Sequence, residues 1–333
     1  VGISTAQVVR VRSLRKTFDV PVRQAGLRAS VSALFKRETR EVVAVDQLDF
    51  DVGAGEVVGF LGPNGAGKTT SLKMLAGLLH PTSGLAEVLG YTPWQRPPAY
   101  LRRMALIMGN RNQLQWDLPV MDSFELAQSI YRIPRLQFLA SRDQMIDLLD
   151  LGALVDKPVR NLSLGERMKA EIAGALLHIP KVLFLDEPTI GLDITMQKRI
   201  RTFVAEYNQQ HGATVLLTSH YMADVQALCK RVIVIDHGNV LFDGDLQRLA
   251  DDFGSTKTIV ARIDVAPGAR LDSYGQSATD LGDGTWSFAV ARADVAAVTG
   301  RLLAEQSVVD LTIEDPPIED VIERVFAHEV PRA

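Results

Sequence analysis

Cysteine is almost missing from this chain of 333 residues: Cys229 stands alone, which excludes an internal disulfide and argues against a thiolate metal cluster. Its place in a helical stretch, Met222 to Lys230, suits a small buried side chain. Long hydrophobic runs are missing too. A membrane-spanning helix needs roughly 18 consecutive apolar residues. The greasiest runs, Val57 to Leu61, Val182 to Leu185 and Val232 to Ile235, have only the length of buried parallel strands. The first residues, Val1-Gly2-Ile3-Ser4, show no basic segment leading into an apolar one, which predicts a cytoplasmic chain. Positive charge is not in excess: a net charge of −4 and a pI of about 5.9 argue against nucleic acid as the main partner, though a local basic patch stays open. What is present, 47% hydrophobic and 23% charged residues, suffices for one large globular domain and a small one.

Along the chain, strand-like segments at Val8 to Val11, Val42 to Phe50 and Val57 to Leu61 lead into a glycine-rich turn and a helical run from Lys68 to Leu79. A mostly helical middle follows, with Pro97 to Met104, Asp122 to Tyr131, Gln137 to Leu151 and Leu164 to Leu177 at helical spacing. Strands then alternate with helices again: Val182 to Leu185, Thr214 to Ser219 and Val232 to Ile235 are separated by Ile194 to Gln210 and Met222 to Lys230. This alternation predicts an α/β fold with a parallel sheet covered on both faces. From about residue 256 the texture changes to strands at Thr258 to Ile263, Thr285 to Val290 and Val308 to Ile313, with helices Asp294 to Leu303 and Ile318 to Phe326. A separate small α+β domain over 256–333 is expected, after a first domain over 1–255 whose helical part covers about 95–180.

Gly62-Pro63-Asn64-Gly65-Ala66-Gly67-Lys68-Thr69-Thr70 fits G-x-x-x-x-G-K-[ST] after a strand and before a helix, the context that makes the pattern a phosphate-binding loop. Its glycines let successive N–H groups converge on phosphate oxygens beside the helix N-terminus. Lys68 is expected to reach the β and γ phosphates, and the Thr69 hydroxyl to bind Mg²⁺. Leu183-Phe184-Leu185 ends in Asp186-Glu187, two acids at a strand's C-terminal edge. Next to a phosphate loop, Asp186 can hold the hydration shell of Mg²⁺ and Glu187 can polarise an attacking water.

Asn161-Leu162-Ser163-Leu164-Gly165-Glu166 precedes a helix and lies about one helix upstream of those acids. Together these elements resemble the ABC ATPase family over residues 1 to about 250, the family signature reading approximately L-S-G-G-Q. The resemblance implies a P-loop NTPase core of the ABC type: a parallel sheet flanked by helices, an antiparallel β subdomain and a helical subdomain. It also implies ATP as substrate, Mg²⁺, and a dimer in which the signature of one chain closes over the ATP of the other. Ser163 and Gly165 would then act in trans, alongside Leu164 and Glu166, where the family has glycine and glutamine. Asp193, in Gly191-Leu192-Asp193, is similar to the family's D-loop aspartate, and His220 to its switch histidine at the γ-phosphate. Phe18 resembles the aromatic that stacks on adenine, although an aromatic near a strand end also suits a core. The run Met108 to Val120 aligns with the family's Q-loop. Counting back from Leu118-Pro119-Val120 puts the expected metal-contacting glutamine at Asn110, and Gln113 lies three positions later, so either stands as candidate.

Between 19 and 41 lies an insertion with Arg23, Arg28, Lys36, Arg37 and Arg40, in which Leu27, Val31, Leu34 and Phe35 share one helical face. Such a helix suits an anionic membrane surface or a permease, or equally its own β subdomain. The chain shows neither the doubled ATPase units of translation-type relatives nor the coiled-coil insertion of repair-type ones, and Trp116-Asp117-Leu118-Pro119 suits docking of a membrane subunit. A catalytically dead subunit is disfavoured by the presence of Lys68, Asp186, Glu187 and His220. The resemblance therefore narrows to ABC-2 type exporter ATPases. Those pair with a second copy and with separately encoded permeases at the cytoplasmic side of the cell membrane.

Overall fold

The computed structural model describes residues 7–21, 39–109, 113–253, 256–264, 271–315 and 318–327. The chain divides into two compact units, Val1–Asp243 and Gly244–Ala333.

The first unit is built on three apolar strands, β3 (Val57–Leu61), β6 (Val182–Asp186) and β7 (Thr214–Thr218), the latter two buried along their whole length. Strands buried on both faces read as continuous hydrophobic runs, which is why these were legible. They pair in parallel with β5 (Met104–Met108) and β8 (Arg231–Asp236), and β9 (Asn239–Asp245) completes a six-stranded sheet of order β5-β6-β7-β3-β8-β9. The order places the C-terminal ends of β3, β6 and β7 side by side. A second, antiparallel sheet of order β2-β1-β4 is formed by β1 (Gln7–Pro21), β2 (Thr39–Gly53) and β4 (Ser83–Val88). Phe50, Phe60, Leu72, Tyr100 and Phe184 meet in one core cluster between the two sheets and helix α1 (Lys68–Leu75).

The residues read as a helical middle form α2 (Pro98–Leu101), α3 (Val120–Tyr131), α4 (Arg135–Leu149) and α5 (Leu164–Leu176). Within the span 95–180 expected to be helical, however, Met104–Met108 is strand β5 of the core sheet, paired in parallel with β6. Its Met-Ala-Leu-Ile-Met sequence is rich in good helix formers, and burial beside β6 overrides that preference. Helices α6 (Ile194–His211) and α7 (Met222–Leu228) alternate with the last core strands.

In the second unit, β10 (Thr256–Ile263), β11 (Ser277–Gly282), β12 (Thr285–Ala291) and β13 (Val308–Glu314) make an antiparallel sheet of order β11-β12-β10-β13. Helix α9 (Val295–Glu305) sends Leu302 into a core with Ile259, Ala261, Tyr274, Phe288 and Val290. Helix α8 (Leu246–Phe253) packs on α10 (Ile318–Ala327), so the compact unit begins ahead of the boundary expected at residues 255–256. Most of the basic insertion, including Arg23, Arg28, Lys36 and Arg37, lies outside the described residues. Arg40 stands at the exposed start of β2.

Candidate functional site

The phosphate-loop sequence spans the turn from β3 into α1. Gly62 is required by packing, since a Cβ there would stand 2.3 Å from the Ile235 carbonyl oxygen. Gly67 is required twice over: its φ is +100°, and a Cβ would stand 2.4 Å from the Ala44 carbonyl oxygen. The next residue, Lys68, is buried, and its ammonium donates to the carbonyls of Gly62 (2.5 Å) and Pro63 (3.1 Å). Burial lowers its pKa against the opposing pull of Glu187 and Asp186. A buried cation over a loop of backbone amides is a ready site for phosphate.

The other side chains converge from neighbouring strand ends. The Thr69 hydroxyl, in the first turn of α1, lies 2.9 and 3.0 Å from the two carboxylate oxygens of Asp186 at the end of β6. The Thr218 hydroxyl at the end of β7 donates to the same carboxylate at 2.8 Å. Glu187 follows with a positive φ of 54°, a strained conformation for a non-glycine residue, held because its N–H donates to both the carbonyl and the hydroxyl of Thr218 at 3.1 Å. One Glu187 carboxylate oxygen accepts from the His220 N–H at 3.0 Å; the other is buried without a hydrogen-bond partner, 3.4 Å from His220 Nε2. Burial pushes the Glu187 carboxyl above its ordinary range, with His220 and Lys68 opposing. A carboxylate with one unsatisfied oxygen beside a partly exposed imidazole can take a proton from, or align, a water placed there.

Second in the aligned Q-loop run is Gly109, whose N–H donates to the Asp186 carbonyl at 2.9 Å and whose missing Cβ would stand 2.1 Å from the Glu187 carbonyl oxygen. Asn110 lies outside the described residues. The Gln113 side chain turns back on β5 and donates to the Leu106 carbonyl at 2.5 Å. Phe18 is 38% exposed on β1, with the Lys16 ammonium 5.0 Å from its ring centre, so its face is not core.

At the signature, Ser163 caps α5. Its hydroxyl accepts from the Glu166 N–H at 3.3 Å, and the Glu166 carboxylate accepts from the Ser163 N–H at 2.8 Å, a reciprocal capping box. That backbone bond holds the Glu166 carboxyl below the usual range. Leu164 is partly exposed and rests on the D-loop: its Cδ2 would be 3.2 Å from a Cβ on Gly191, and Gly165 gives similar clearance to Met196. Asp193 caps α6 by accepting from the Met196 N–H at 2.9 Å.

Sequence reasoning missed Asp224. Buried on α7, it accepts from Thr189 (2.5 Å), Ser219 (2.8 Å) and Arg201 (2.6 Å), tying the residues after Glu187 to the residue before His220. An acid one turn past the histidine was the only signal available.

The model of a family described as "ABC transporter" matches residues 45–190, and one described as "EvrA-like ABC transporter, C-terminal domain" matches 256–314. The ABC transporter ATP-binding protein NatA of Bacillus subtilis is 34% identical over 218 residues, 66% of this chain and 88% of that protein. The chain belongs to the ABC transporter ATP-binding proteins. This ABC ATPase also matches the daunorubicin/doxorubicin resistance ATP-binding protein DrrA of Streptomyces peucetius at 36% identity, over 64% of each chain. The Nod factor export ATP-binding protein I of Cupriavidus metallidurans is 34% identical over 63% of this chain and 68% of that protein. Among solved structures, an ATP-binding subunit of an ABC transporter superposes with a TM-score of 0.61 at 24% identity, covering 80% of this chain and 97% of that one, a likeness of fold. An ABC ATPase binds and hydrolyses ATP. Among the described residues no helix is long and apolar enough to cross a membrane.

Proposed function

We propose that this ATPase drives an exporter of the ABC-2 type, paired with a second copy of itself and with separately encoded membrane subunits on the cytoplasmic side of the membrane. One observation carries the catalytic part: Lys68, Thr69, Asp186, Glu187 and His220 meet at the adjoining ends of β3, β6 and β7. The names of the relatives, drug resistance and Nod factor export, support the export direction.

Lys68 and the loop amides from Gly62 to Thr70 would bind the β and γ phosphates, with Phe18 against the adenine. The Thr69 hydroxyl and Asp186 carboxylate are adjacent hard oxygen donors, a partial set that fits Mg²⁺ completed by phosphate oxygens and water. When bound there, Mg²⁺ would offset negative charge on the transferred phosphoryl group. Asn110 or Gln113 stays the candidate for a further metal contact. Glu187 holds its free carboxylate oxygen for the attacking water, oriented by the His220 N–H, while His220 meets the γ-phosphate. Ser163 and Gly165, with Leu164 and Glu166, would close on the ATP of the partner copy, and Asp193 would link the two sites. ATP thus favours a closed dimer, and hydrolysis releases it, a population shift passed to the membrane subunits. Residues 256–333 serve as an accessory domain to this motor.

The docking part is tested with a single reporter. Cys229 is buried, and burial with a nearby Asp224 pushes its thiol up to about 12, so it is unreactive at neutral pH. A Trp116→Cys, Cys229→Ser chain cross-linked in native membranes should capture a membrane protein with about six spanning helices. Capture of soluble proteins alone would overturn the membrane-subunit reading.

A further inference from the structure

Helix α5 carries a glutamate on its buried side. Glu171 is 3% exposed, and burial pushes its carboxyl above the ordinary range against the pull of two backbone amides. Those amides belong to successive residues of the segment between β5 and α3. The Gln113 N–H lies 2.9 and 3.0 Å from the two carboxylate oxygens, and the Leu114 N–H 3.2 and 3.3 Å. A buried carboxylate is tolerated only when hydrogen-bonded, and here its partners are the backbone of a loop.

Other contacts fasten the same segment to the same helix. Gly174, one turn further along α5, forms a notch: a Cβ there would stand 2.9 Å from Leu114 Cδ2. The Arg167 guanidinium lies 5.7 Å from the centre of the Trp116 ring. Just ahead of α5, Arg160 donates from its backbone to the Trp116 carbonyl at 3.0 Å and from its side chain to Asp117 at 2.7 Å. Towards β5 the chain is anchored differently, by the Gly109 N–H on the Asp186 carbonyl. The segment thus runs from the catalytic acids to an exposed tryptophan, and its outer half is bound to the helix that begins with the signature.

We infer that Glu171 is a positioning residue that makes Gln113–Asp117 a rigid extension of α5, so that movement of the signature end of α5 is delivered to the surface around Trp116. This rests on the reading of Trp116–Pro119 as the face that meets a membrane subunit. Glu171→Gln keeps the shape but sets an amide NH₂ against a backbone N–H. In the purified chain without nucleotide, hydrogen exchange at the Gln113 and Leu114 amides should rise about tenfold, the scale of one lost hydrogen bond. Protection within α5 should be preserved and the Tm should fall by only a few degrees, kcat for ATP should fall while KM holds, and Glu171→Asp should restore part of the exchange and of kcat.

Unchanged exchange at these two amides in Glu171→Gln would overturn the inference. Should that variant fail to fold, Glu171→Asp serves: its carboxylate is one methylene shorter and cannot hold both amides as Glu171 does, so a smaller rise at the same two amides is expected. Native exchange in Glu171→Asp would then overturn it. Since the exchange experiment uses neither membranes nor nucleotide, a failed cross-link at Trp116 would undo the docking reading and leave the tie to α5 standing on its own result.

Discussion

In residues 1–243, Lys68, Lys169, Glu171, Asp186 and Asp224 are buried, most of them at strand ends or on helices facing loops; in residues 244–333 the described buried residues are apolar apart from Thr256. The second unit keeps its charges at the rim, as in the Lys257–Asp315 and Arg301–Glu305 pairs. Removing a charge from water is costly unless partners replace the hydration. The first unit accepts that cost where a carboxylate holds a loop or faces the phosphate loop, whereas no charged residue is buried among the described residues of the second. Function is concentrated where buried charge is.

Substitutions placed in each unit should have separable effects. Phe288 is fully buried in the second unit's core, and Phe288→Ala should cost that unit about 3–5 kcal/mol by cavity formation. Calorimetry should show the loss in one transition only, and ATP turnover in the cold should be unchanged if the second unit takes no part in chemistry.

A titrating core histidine gives the next effect. His178 is buried, its ring stacked on Tyr131 with centroids 4.0 Å apart and its Nε2 3.0 Å from the Met104 carbonyl oxygen. Burial lowers its pKa to about 4 from 6.5, so the folded state keeps it neutral while the unfolded chain takes up a proton. Its contribution is therefore full above pH 6.5 and is lost as pH falls towards 4, by up to about 3 kcal/mol. Chemical denaturation across that window should show the slope, and His178→Phe should flatten it.

For catalysis, Glu187→Gln should lower kcat by about 10²-fold, some 2.7 kcal/mol of barrier, with ATP affinity nearly intact. Steady-state hydrolysis and nucleotide binding measured on the same preparation would check it. The smallest effect falls on the signature. Ser163→Ala removes the cap of α5 and should lower stability by about 1 kcal/mol, read by denaturant midpoint, beyond whatever it does to turnover.

Much of the first unit was legible because its information is local. The phosphate loop is contiguous, Asp186 and Glu187 end an unbroken apolar run, and the capping box spans Ser163 to Glu166. Strands β9 and β11 were not legible because they are largely polar and exposed, and β5 because its residues favour helix. Glu171 and Asp224 were missed for another reason: the loop residues they hold, Gln113 and Thr189, stand 58 and 35 residues away, and only the fold brings them together.

On the proposed function, the site works as half of a sandwich closed by a second copy. Glu187→Gln should hold ATP without turning it over, so sedimentation of this variant with and without ATP and Mg²⁺ is the most direct measurement. A monomer without nucleotide and a dimer with ATP, abolished by adding Ser163→Arg, are expected. A chain that binds ATP and remains monomeric across micromolar concentrations would contradict it.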